Sequence, residues 1–147
     1  MTPTLLGRWQ TRVVLMFSVG LAICVAWGVR QRDMQTPVTL WAYVLVLGLG
    51  WDVLYQYLQG FRWDRDWPPL FQLIGGALEG LTIWAMVSAA GFWALFGRLA
   101  PPGVSPGLER DDFVTHYGLV WLSLFLITLG PIKLLNPRWR FRGGEWW

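Results

Sequence analysis

VTLWAYVLVLGLGWDVLYQYLQ, residues 38–59, runs for twenty-two residues with one charged side chain, Asp52. A hydrocarbon core of about 30 Å needs roughly 20 predominantly apolar helical residues, and this stretch has that length. A soluble helix of the same length carries a polar stripe from end to end. Here the polar residues other than Thr39 and Tyr43 gather in the second half. Lipid offers the backbone no hydrogen-bond partner, so the run reads as a transmembrane helix.

Three further stretches read the same way, giving spans at about 12–29, 38–59, 70–97 and 113–135. The chain is 54% hydrophobic and 14% charged, and its twelve tryptophans are the residue type enriched where membrane meets water. The fold expected is an all-α integral membrane protein: one domain, 1–147, built as a compact bundle of four transmembrane helices with a basic, aromatic tail at 136–147. Thr36-Pro37 and Trp67-Pro68-Pro69 are helix starts, and the Pro- and Gly-rich stretch 101–107 is a loop. Gly130-Pro131 should bend the fourth helix. The first apolar run lacks a small-residue cleavage site and is followed by Arg30, so it reads as a retained helix rather than a signal peptide.

Orientation follows from basic residues near the spans. With both termini on one side, that side holds Arg8, Arg12, Arg62, Arg65, Lys133, Arg138, Arg140 and Arg142, against Arg30, Arg32, Arg98 and Arg110 opposite. Eight against four places the termini and the 61–67 loop in the cytoplasm. The membrane expected is a plasma or inner membrane, with a thylakoid-type membrane as the other choice.

Ionisable groups within a span cost roughly 2.5–3.5 kcal/mol each at a helix centre, so they are the first candidates for function. Asp52 shares a helix face with Gly48, Tyr55, Gln56 and Gln59, and Glu79 shares one with Gln72, Gly75, Gly76 and Thr82. The two helices form a hairpin about Arg65. Asp52 lies thirteen residues before that point and Glu79 fourteen after it, so at about 1.5 Å per residue they sit at one depth. Facing carboxyls in low dielectric resist joint ionisation. One reading is a proton- or cation-handling pair. The other is a polar clamp between helices, drawing on Tyr55, Gln56, Gln72 or Lys133.

Gly20, Cys24 and Gly28 recur every fourth residue in the first span, and Gly76 and Gly80 do so in the third; such faces let helix backbones approach. They fit packing within the chain or contact between subunits. His116 is the only histidine and is expected near the membrane surface, bonded to Thr115 or to loop carboxylates. A lone cysteine excludes an internal disulfide, and no nucleotide-binding, hydrolase or metalloprotease motif is present. No cofactor or metal is called for, and there is no basic stripe of the kind that binds nucleic acid.

The loop FRWDRDW, residues 61–67, sets Arg62, Trp63, Asp64, Arg65, Asp66 and Trp67 together, and the tail repeats the chemistry with Arg138, Trp139, Arg140 and Arg142. Arginines at lipid phosphates and rings in the headgroup layer make an interfacial anchor. Arginine and tryptophan also dominate protein interface hot spots. The aspartates among them point to a salt bridge between loop and tail or to a protein contact. The function expected is therefore a non-catalytic subunit, anchor or assembly factor of a larger membrane complex, with the bilayer and other subunits, or further copies of the chain, as partners. The alternative is a proton-coupled transporter or oligomeric channel using Asp52 and Glu79.

Overall fold

The computed structural model describes residues 3–98, 101–105 and 107–147, with the side chains of Ala89 and Arg140 outside what is described. The described residues are helical or irregular, with no strand among them. Four helical stretches are long and apolar enough to cross a membrane: Leu5–Gln31, Gln35–Gly60, Pro69–Val87 and Arg110–Leu135.

The first span begins seven residues earlier than its apolar run suggests. Thr4 caps it by accepting the Gly7 amide, so Arg8 rides on helix rather than on a terminal arm, and Arg12 stands two turns inside the helix rather than at its start. Midway, Met16–Gly20 winds as a π-helical turn. Here the Met16 carbonyl accepts the Trp41 indole at 2.8 Å as well as the Leu21 amide, while Ser18 Oγ donates to the Val14 carbonyl. The span ends at Arg32 in the left-handed region (φ 56°). Asp33 then accepts the amides of Gln35 and Thr36 and starts the second span.

The third span is shorter than the apolar run implies. A helix to residue 97 was expected, but the chain leaves helical geometry at Ser88 (ψ 141°). The Ser88 hydroxyl accepts the Gly91 amide and caps a separate helix, Ala89–Phe96. A Cβ at Gly91 would overlap the Ala85 carbonyl, so only glycine allows this close reversal. Hydropathy does not register a hydroxyl cap inside an apolar run. The fourth span bends where Gly130-Pro131 stands: Arg110–Leu129 ends at Gly130, and Pro131–Leu135 starts a new turn that returns Ile132 to the interior.

The main core gathers Met16, Cys24, Leu40, Val44, Ile83, Val87, Phe113, Tyr117 and Val120 from all four spans, capped by Val104 of the long loop. The two ends of the described chain meet. Thr4 donates its amide to the Gly143 carbonyl, Thr11 Oγ1 donates to Gly144, and the Trp146 amide donates to Gln10. The 61–67 loop lies at this same end, because Arg8 reaches Gln59 at 2.8 Å and lies over the Trp67 ring. We call it the terminal end.

Candidate functional site

Asp52 and Glu79 do lie at one level, and a third group stands between them. Arg12 donates through Nε to Asp52 Oδ2 (2.8 Å) and through Nη2 to Asp52 Oδ1 (2.9 Å). Nη1 and Nη2 reach the two oxygens of Glu79, each at 3.1 Å. The planar fork thus binds both carboxylates at once, geometry that an ammonium does not offer. The partner weighed from the sequence was Lys133, which forms no ion pair with either acid; Arg12, the first residue of the expected first span, is the cation. Its charge offsets that of one carboxylate, so the two acids do not face each other bare.

The surrounding sequence makes room for this guanidinium. A Cβ at Gly48 would collide with Arg12. On the third span, added Cβ atoms would meet the Tyr55 ring at Gly75, the Trp121 indole at Gly76 and the Tyr117 ring at Gly80. Tyr117 donates to the Gly76 carbonyl at 2.6 Å. The Gly76 and Gly80 face is therefore filled by the fourth span of the same chain. Gly20 and Gly28 are likewise occupied from within, by Trp41 and by the Asp33–Met34 turn.

Of the other polar residues named from the sequence, Gln72 bonds Thr128 across to the fourth span at 3.0 Å. The Tyr55 hydroxyl is buried beside Glu79, and among the described residues the Gln56 side-chain oxygen and Nε of Arg8 are buried without a hydrogen-bond partner. A partly open cavity of about 250 Å³ borders this cluster, with Arg8, Arg12, Tyr55, Glu79, Trp121 and Lys133 in its wall.

Cys24 and His116 face each other across the first and fourth spans, Sγ to Nε2 at 3.2 Å. The histidine is 2% exposed, not at the surface beside Thr115, whose hydroxyl instead donates to the Asp111 carbonyl. Among the described residues no third His, Cys, Asp or Glu joins the pair to make a metal-binding group.

The loop is ordered by its own aspartates. Arg62 binds Asp64 through two bonds, at 3.0 and 2.9 Å, and this holds the Asp64 carboxyl below its usual range. Asp64 Oδ1 also accepts the Asp66 amide, and Asp66 Oδ1 accepts the Trp67 amide. Arg65 takes a left-handed conformation (φ 49°), its carbonyl accepting from Gln59. Trp67 turns inward onto Tyr55, Phe71 and Arg8, whereas Trp63 projects outward at 95% exposure.

The tail is held by the first helix. Trp139, expected on the surface, is 5% exposed and donates its indole to Thr11 Oγ1 at 2.7 Å, while Arg138 and Arg142 are exposed. The side chain of Arg140 lies outside the described residues. Arg12, Arg8, Thr11 and Tyr117 escaped the sequence reading. The visible signal for the two arginines was their spacing, one helical turn apart and downstream of the Thr4 cap.

Compared with known protein families, curated proteins and solved structures, the chain matches none.

Proposed function

We propose that this chain is a non-catalytic membrane subunit, anchor or assembly factor, a compact four-helix bundle with both termini and the 61–67 loop in the cytoplasm. The observation that carries the reading is Trp63, 95% exposed at the tip of a loop stiffened by the Arg62–Asp64 and Asp64–Asp66 bonds. An exposed tryptophan beside arginine is the composition of an interface hot spot. A loop already ordered loses less freedom on docking. Exposed Arg138, Phe141 and Arg142 of the tail extend the surface at the same end.

The transporter or channel reading is less well supported. A proton-handling pair needs a carboxyl free to change charge, and both acids here are engaged by the Arg12 fork. Their arrangement fits the clamp that fixes the first three spans. Removing one member of such a set is strongly destabilising, which is a structural rather than a transport signature.

The test is a photo-activatable residue introduced at position 63 in cells, followed by gentle detergent extraction. The expected result is a protein adduct of one defined mass, weakened by R62Q while the thermal stability of the chain is unchanged. Lipid adducts alone, with a monomeric protein extracted from native membranes, would overturn the proposal.

A further inference from the structure

The fourth span closes on its neighbours over only part of its length. In its first half Phe113, His116, Tyr117 and Val120 are buried. From Trp121 to Pro131 no residue is buried, and the bend at Gly130 then brings Ile132 back to the interior. The unfilled space beside this stretch is the cavity of about 250 Å³, lined by residues of all four spans and of the tail. The cavity is partly open and has room for several waters or part of a larger ligand.

Its wall is amphipathic. Leu124, Phe125 and Trp121 supply an apolar flank. Toward the terminal end stands Arg8, with a buried Nε–H lacking an acceptor among the described residues, beside Tyr55, 7% exposed, whose hydroxyl neighbours Glu79. Lys133 enters the same cavity, and among the described residues no carboxylate pairs with it. Three carboxylates also line the space, and each is engaged: Asp52 and Glu79 hold Arg12, and Asp66 accepts the Trp67 amide. The groups left to be satisfied are therefore two cationic donors, Arg8 and Lys133.

We infer that this cavity binds an anionic phospholipid, its phosphate at Lys133 and Arg8 and an acyl chain along Leu124 and Phe125. A basic pocket between spans near the membrane surface is where acidic lipid headgroups are recognised. A phosphate satisfies donors that no described residue satisfies. An acyl chain fills a flank that side chains leave empty. A free phosphate shares the headgroup chemistry but offers nothing to the apolar flank, which decides for the lipid.

The test uses full-length protein stripped of lipid by detergent exchange. Thermal unfolding is followed by alkylation of Cys24, which is fully buried and the sole cysteine. Phosphatidylglycerol, phosphatidylcholine and inorganic phosphate are each titrated, and native mass spectrometry counts retained lipid. The expected result is half-saturation by phosphatidylglycerol at a concentration at least tenfold below that of phosphatidylcholine. K133Q should lose this preference, whereas R110Q, at the exposed far end, should keep it. Equal responses to the two lipids, or an undiminished preference in K133Q, would overturn the proposal. So would inorganic phosphate alone reproducing the full shift, since that marks an ion site with no role for the acyl chain.

Discussion

Replacing Arg12 by methionine removes the one cation between Asp52 and Glu79 while keeping a side chain of similar reach. Four hydrogen bonds of 2.8 to 3.1 Å disappear together, and two carboxylates, each 6% exposed, are left without a counter-charge. Breaking a buried ionic set by deleting one partner costs about 3–5 kcal/mol. That is roughly a 150- to 5000-fold loss in the folded-to-unfolded ratio. For a chain of this size each kcal/mol moves the unfolding midpoint by about 2–4 °C, so R12M should melt about 6–20 °C lower. Cys24 supplies the assay, because it lies twelve residues further along the helix, about 18 Å from the change. Its alkylation on heating reports unfolding. The triple variant R12M/D52N/E79Q isolates the cause. It removes every charge of the set, so most of the lost stability should return, as it does when buried ion pairs are replaced whole. An R12M midpoint within 2 °C of the wild type would refute the clamp. A triple variant as unstable as R12M would show that the arginine acts through packing and not through charge.

Other expectations can be checked with the same preparation. T11V strips the bonds that Thr11 makes to Trp139 and Gly144, and leaving such buried groups unmet costs about 1–3 kcal/mol; trypsin should then cut at Arg138 or Arg142 earlier than in the wild type. G76A should lower the midpoint because its methyl would overlap the Trp121 indole, at about 1–3 kcal/mol for such overpacking. G50A, with nothing within 4 Å of the added carbon, should leave the midpoint unchanged or raise it by the helix preference for alanine. D33A removes the cap of the second span at about 1 kcal/mol. Hydrogen bonds from Thr36 and then Gln35 hold the Asp33 carboxyl below its ordinary value, so this contribution is present at neutral pH and is lost as pH falls through the lowered value. The gap between wild type and D33A should therefore narrow in acid, and a gap that widened would contradict the cap.

Apolar length is a local property, and it sufficed to locate four membrane-length helices along the chain. Counting residues about Arg65 was equally local, and it put Asp52 and Glu79 at one depth because helical rise is constant. The ends of elements were less legible. At Ser88 a single hydroxyl outweighed a run of apolar residues, and Thr4 drew the first helix back over Arg8. Both depend on one capping bond, which averaged hydropathy does not see.

By itself, the sequence determined that the chain is helical, where it is apolar enough to cross a membrane, and which two acids lie within the spans. Tertiary structure decided who meets whom. It drew Arg12 between the acids, set His116 against Cys24, laid Trp139 on Thr11, and left a cavity beside the bent fourth span. The physical reason is that hydrophobic burial depends on the amount of apolar surface and is non-directional, so composition reports it. A charge-assisted hydrogen bond depends on two groups, distant in the chain, arriving within about 3 Å in a fixed orientation. That arrangement exists only once the helices have packed.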